Sequence, residues 1–406
     1  MKSGAALALL TTAALASAKA AAQEPIVLPV PGGAPADSPA RTDNPAYAWM
    51  EWSAVRGVNY LAGYAASPDE MWRRYDPEAI RRELGAAARL GLNSVRVFLS
   101  FRTYEATPTS FLEHWGDFLT AAGETGLTVL PVLFDGWGVD PPRLARREST
   151  RAAFERFLSR PATYRLHPTY ERSLKTIALE LTPDRGVPAV MDPGSVYWGD
   201  WRPSPEPDRL GPEHWPLFEE FVVRMIEPRR TDPAIVAWDL MNEPQAGQAF
   251  TTAPPNAAAA EFVLALARRA HELDPAQPIT IGAGGGWDGA TAYRLHVELI
   301  SLHAYQKPGS RLAADLAEAR RQSDGRPLLI THVGGIMFPA SAAEAAEAAQ
   351  AEAIRQTLAM AERARAGFYL WHLIEGPGLT PWAGLLRSDG SARPAAEGLA
   401  ERAPRR

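Results

Sequence analysis

The chain of 406 residues has no cysteine. That excludes disulfides, thiolate-held metals and a cysteine nucleophile. It also lacks a strong charge of either sign: the formal net charge is -5, which gives no electrostatic reason to expect nucleic acid or an anionic membrane as partner. Heptads and fixed-period repeats are missing. No glycine-rich phosphate fingerprint follows the first strand-like run, which argues against a doubly wound dinucleotide-binding sheet. The apolar run near the start, Ala5 to Ala16, is too short to span a bilayer. What is there is 46% hydrophobic and 22% charged, an ordinary globular balance with ample material for a core.

Met1 to Ala22 combines an early Lys2, that apolar run and small-residue cleavage patterns at Ala16-Ser17-Ala18 and Ala20-Ala21-Ala22. It reads as a secretory signal peptide, so a secreted or periplasmic location is expected. Residues 23–50 are rich in proline and alanine and read as an extended tether. From residue 51 to 406, short apolar runs alternate with helical patterns.

The strand-like runs are Val55 to Tyr60, Ser94 to Leu99, Thr128 to Phe134, Ile235 to Met241, Ile279 to Gly282, Leu299 to Tyr305, Leu328 to Thr331 and Gly367 to Trp371. Between most of them lie helix-length segments, such as the one opening at Asp76-Pro77 with Ile80, Leu84 and Ala87 on one face and closing at Gly91. Eight such runs in alternation predict an α/β fold, a (β/α)8 TIM barrel. Roughly a hundred residues separate strands three and four, far more than a plain connection needs. Helices are expected there at Arg151 to Leu158, Tyr170 to Glu180 and Pro216 to Ile226. The stretch Gly186 to Pro212, with Tyr197, Trp198 and Trp201, is expected to form a rim over the site.

The most informative stretch is Ile235 to Pro244, where an apolar run stops at Asn242-Glu243-Pro244. Strands buried on both faces read as continuous apolar runs, and in such barrels the residues just past the strand line the active site. Glu243 is therefore the first candidate for a working side chain.

With these residues in place, the chain from Val55 onward resembles the clan of retaining glycoside hydrolases that includes the family 5 cellulases and mannanases and related xylanase-like proteins. The matching features are Arg56 to Asn59 on strand one, Asn93 to Arg96 on strand two, Trp238 to Pro244 on strand four, Leu302 to Tyr305 on strand six, Trp371 ending strand eight, and the closing Leu385 to Pro394. The resemblance implies Glu243 as general acid/base and Asn242 as the residue holding the sugar 2-hydroxyl. Arg96, His303 and Tyr305 would orient the catalytic groups within the substrate-binding set, and Trp371 would be the sugar platform. Asp135 and Trp137, ending strand three, lie where a further sugar contact is expected. The implied partner is a β-linked poly- or oligosaccharide, with no organic cofactor.

The departure is at strand seven. The family pattern ends there in a nucleophilic glutamate; here Leu328-Leu-Ile-Thr-His-Val-Gly-Gly places His332 in that position. Four readings follow. His332 is itself the nucleophile; or it is a general base for water in an inverting reaction, which needs a wider spacing; or the barrel binds glycans without cleaving them, an imidazolium at 332 opposing the acid role of Glu243; or His303 and His332, with His372, hold a metal near Glu243 or Asp135. Against the metal stand the absence of a close-spaced ligand pair and the outward position that alternation gives His372. Asp135 and Glu375 are the acids available to replace the missing carboxylate.

Overall fold

The structure, a computed structural model, describes residues 51–137, 201–244, 257–273, 275–284, 286–303, 312–334, 343–377 and 383–400. The expected signal peptide and tether, the helices expected at 151–158 and 170–180, most of the expected rim, and Tyr305 lie outside these residues.

The eight strands are β1 (Arg56–Tyr60), β2 (Ser94–Phe98), β3 (Thr128–Asp135), β4 (Trp238–Asn242), β5 (Ile279–Gly282), β6 (Ile300–His303), β7 (Leu328–Gly334) and β8 (Gly367–Trp371). They pair in parallel in the order β5-β4-β3-β2-β1-β8-β7-β6. A parallel bridge between Ala283 and Leu302 joins the two ends. The chain is a (β/α)8 barrel, as the alternation of apolar runs predicts.

The principal helices outside the strands are α1 (Pro68–Arg73), α2 (Pro77–Arg89), α3 (Phe101–Ala106), α4 (Pro108–Glu124), α5 (Trp215–Ile226), α6 (Ala257–Glu272), α7 (Trp287–Thr291), α8 (Leu312–Gln322), α9 (Ala343–Arg363) and α10 (Pro394–Ala400). In α2 the causes are plain: Asp76 caps the N–H groups of Glu78 and Ala79, Pro77 opens the first turn, and Ile80, Leu84 and Ala87 are buried. Gly91, at φ 74°, lets the chain leave through the left-handed region. The cap contributes about 1 kcal/mol, and burial of Ile80 or Leu84 about 1.5–3 kcal/mol each. The short helices α1, α3 and α7 escape sequence reading because one or two turns show no periodic stripe.

The apolar material forms two clusters. The larger fills the layer between strands and helices. The smaller gathers Trp52, Val55, Leu130, Val236, Ala237, Leu299, Leu329 and Tyr369 from the N-terminal ends of the strands, and so plugs the floor of the barrel. Polar residues begin above that floor.

Candidate active site

The lowest polar layer is built on Arg96, which is fully buried on β2. Its guanidinium donates to Asn59 Oδ1 at 2.8 Å, to Asp239 Oδ2 at 2.8 and 3.0 Å, and to Asn242 Oδ1 at 2.9 Å. An arginine fork suits several acceptors held in fixed directions, which a lysine would not match. Asp239 supplies the balancing charge without which a buried cation would be strongly unfavourable. Arg96 therefore orients the site from beneath.

Asn242 passes this order outward, its amide donating to Asp135 Oδ1 at 2.8 Å. Asp135 also accepts from the Trp137 N–H at 2.9 Å and, on its other oxygen, from Trp201 Nε1 at 2.7 Å. Burial pushes the Asp135 carboxyl up to about 7, these three donors pulling it back and the charge of Glu243 adding to the rise. Both of its oxygens are thus engaged by protein donors. Trp201 was legible only as one aromatic of the expected rim. Its segment runs antiparallel beside the end of β3, with Asp135 and Ser204 exchanging backbone hydrogen bonds at 2.8 and 2.7 Å, and Trp137, Trp201, Trp371 and Phe98 form an arc of edge contacts at 5.3–6.2 Å.

Glu243 stands just past β4 with φ 42°, a conformation that side-chain-bearing residues seldom adopt and that clusters at functional sites. Its N–H donates to Gly282 O at 2.6 Å. The backbone passes so close to β3 that a Cβ on Gly136 would lie 2.4 Å from Glu243 O. Burial raises the Glu243 carboxyl from 4.5 to about 7, Arg96 opposing less strongly.

His303 Nδ1 lies 2.8 Å from Glu243 Oε1, which holds the carboxyl by one oxygen and leaves Oε2 for another partner. The ring fits because residue 282 is glycine: a Cβ there would sit 2.7 Å from His303 Nε2 and 2.8 Å from Arg96 Nη2. His332 Nδ1 stands 4.0 Å from the same Glu243 oxygen. Its ring packs on Trp371 at 4.3 Å and on His303 at 4.9 Å. Burial and Arg96 hold His303 well below the ordinary histidine value; burial, His303, Arg96 and His372 do the same to His332. Burial thus disfavours the charged form of both imidazoles, which weakens the objection that a charged His332 would keep Glu243 ionised.

Strict alternation does not account for this assembly. The register shifts between Asp239 and Asn242 on β4, between Leu302 and His303 on β6, and between Ile330 and Val333 on β7. Each shift precedes or contains a residue of the mouth, as bulges that re-aim side chains do. That on β4 lets Asp239 and Asn242, three residues apart, both meet Arg96.

The structure brings together Arg96, Asp135, Trp137, Asn242, Glu243, His303, His332 and Trp371. His372 is buried with its ring 5.3 Å from that of Trp371, outside the close group of Glu243, His303 and His332. Glu375 is drawn away to Arg393 at 2.5 Å.

No protein-family model matches the chain, and no curated protein sequence matches it. Solved structures do. An exo-β-1,4-mannosidase from Opitutaceae bacterium strain TAV5 aligns at TM-score 0.56 and 19% identity over 86% of this chain and 58% of that one. A GH5_18 protein from Streptomyces cattleya in complex with GlcNAc aligns at 0.52 and 17% over 86% and 80%. An endo-1,4-β-D-mannanase from Thermotoga petrophila RKU-1 aligns at 0.51 and 14% over 86% and 99%. The chain spans little more than half the length of the mannosidase. What it shares with the three is the fold, a barrel found in glycoside hydrolases.

Proposed function

We propose that this protein is a glycoside hydrolase acting on a β-linked poly- or oligosaccharide, with Glu243 as general acid/base and His332 as the nucleophile. The observation that carries the reading is a buried carboxyl, that of Glu243, with the His332 imidazole 4.0 Å away at the mouth of a glycosidase-like barrel; burial raises the carboxyl to about 7 and disfavours the charged imidazole. A carboxylic acid still protonated near neutrality can give its proton to a departing glycosidic oxygen. The spacing is close to the roughly 5–5.5 Å of double displacement and well short of the roughly 6.5–9.5 Å that leaves room for water.

In the first step an imidazole nitrogen of His332 bonds to the anomeric carbon as the glycosidic C–O bond breaks, and the leaving oxygen takes the proton of Glu243. In the second, water attacks that carbon, Glu243 recovers a proton from it, and the imidazole departs with its electron pair. In this reading Asn242, held between Arg96 and Asp135, holds the 2-hydroxyl, and Trp371 is the apolar face under the pyranose. Because two of the structural neighbours are a mannosidase and a mannanase, β-1,4-mannosides head the substrates to try. Export from the cytoplasm belongs to the same reading and rests on residues 1–22.

The test is hydrolysis of β-mannans, β-glucans, xylans and aryl glycosides by the purified protein beside Glu243→Gln and His332→Ala. Turnover with retained anomeric configuration, abolished in both variants, is the expected result. Inverted product would reassign His332 as a base. Saccharide binding with no turnover by the unmodified protein would make it a non-catalytic glycan-binding barrel.

A further inference from the structure

The close group at the mouth also satisfies a second chemistry. Glu243, His303 and His332 come from the ends of β4, β6 and β7, all three are buried, and one ligand atom of each lies within 4.8 Å of the others. Around a tetrahedral ion with bonds of about 2.0–2.2 Å, ligand atoms lie about 3.3–3.5 Å apart. The two pairs to Glu243, at 2.8 and 4.0 Å, fall on either side of that separation, and the His303–His332 pair lies within 4.8 Å, so side-chain shifts on the order of an ångström bring all three to it. Two imidazoles and a carboxylate are the donor set of zinc centres that keep a fourth position open. Arg96, whose charge acts on all three groups, is paired with Asp239 at 2.8 Å and so opposes an incoming ion less than an unpaired guanidinium would.

We propose that Glu243, His303 and His332 form a binding site for a divalent transition-metal ion of the zinc type, and that its occupancy excludes general acid catalysis by Glu243. A carboxylate oxygen bonded to the ion cannot also carry the proton that general acid catalysis needs. That proton is released on binding. The clause on catalysis rests on the function proposed above; the site itself does not.

The experiment titrates the chelator-treated full chain with Co2+, whose visible absorption reports a tetrahedral nitrogen–oxygen site, and then displaces it with Zn2+. His303→Gln, His332→Gln and Glu243→Gln are titrated in parallel, with circular dichroism to check the fold and thermal unfolding with and without Zn2+ as a second measure. One ion per chain is expected, with proton release and a Zn2+-dependent rise in Tm. Each variant should bind more than about 100-fold more weakly, since removing even an outer hydrogen-bond partner of a ligand costs 10–100-fold. Turnover should fall in proportion to occupancy. Absence of a stoichiometric site, or equal binding in the folded variants, overturns the proposal and leaves the glycosidase reading untouched. Turnover unchanged or increased at full occupancy overturns the exclusion. Were no turnover found at any occupancy, the glycosidase reading would fail while absorption and Tm still decided the site.

Discussion

The two sides of the barrel mouth are built by different means. On the β3–β4 side, Asp135, Asn242 and Asp239 are tied to Arg96 and Trp201 by hydrogen bonds of 2.7–3.0 Å, each specifying which atom must face which. On the β6–β8 side, His303, His332 and Trp371 meet through their rings at 4.3–4.9 Å, contacts that fix shape more than identity. Glu243 stands between, tied to the second side by His303 and aligned by the first through Asn242. A network of directed bonds resists substitution because every change orphans a buried partner. Ring packing accepts a different functional group of similar size, and it is on that side that His332 stands.

The largest effects should come from the groups at the meeting of the two sides. Glu243→Gln should lower kcat/KM on unactivated glycosides by about 10²–10⁴-fold and remove an alkaline limb near pH 7 set by its raised carboxyl. Aryl glycosides, whose leaving groups need little protonation, should suffer much less. If Glu243 and His332 act as one unit, the Glu243→Gln/His332→Ala double variant should lose no more than about tenfold beyond the worse single one. Multiplicative losses in the pH–rate profiles would separate the two sides.

Next in size, Arg96→Leu should destabilise the protein by about 3–5 kcal/mol, because it leaves Asp239 charged and buried without its partner. Arg96→Lys should recover only part of this, since one ammonium cannot serve Asn59, Asp239 and Asn242 in their fixed directions. Urea unfolding measures both. A loss below about 1 kcal/mol in Arg96→Leu would show that the hydrogen-bonded side is not the more rigid one.

The smallest effect opposes the two sides through pH. Between pH 4.5 and about 7 the native Glu243 keeps a proton that the unfolded chain has released, so this group's contribution to stability falls as pH rises, by up to about 3 kcal/mol; Asp135 acts in the same sense. His303 and His332 refuse, when native, a proton that the unfolded chain takes up below about pH 6.5, so their contribution falls as pH drops. Relative to the unmodified protein, Glu243→Gln should therefore gain stability from pH 5 to pH 8, and His332→Ala should gain it from pH 7 to pH 5. Thermal unfolding across that range reads both slopes; parallel curves would mean that the burial of these groups is relieved by water.

The barrel itself was legible because strands covered on both faces must be apolar throughout, and runs such as Thr128 to Phe134 or Gly367 to Trp371 have no other simple use. Glu243 and Asn242 were legible because they interrupt such a run at a strand end, and His332 through the resemblance at strand seven. Register was not: the shifts on β4, β6 and β7 depend on pairing between strands far apart in sequence, so the shared inward aim of Asp239 and Asn242 could not be counted off. Nor could Trp201 be assigned to Asp135 across 66 positions. The capture of Glu375 by Arg393 likewise depends on how the closing segment packs. Nor does the sequence offer a close-spaced pair of metal ligands, whereas the donors of Glu243, His303 and His332 come together from three strand ends.

Asn59 gives the mouth one more property. Its amide donates to the backbone carbonyl of Thr331 at 3.0 Å, and to those of Tyr369 and Leu370 at 3.3 and 3.2 Å, while its own carbonyl oxygen accepts from Arg96. It grips the main chain beside position 332 without touching the side chain there. Position 332 is in this sense a socket: Asn59 fixes the place from which a side chain is presented, and does so whatever side chain stands there.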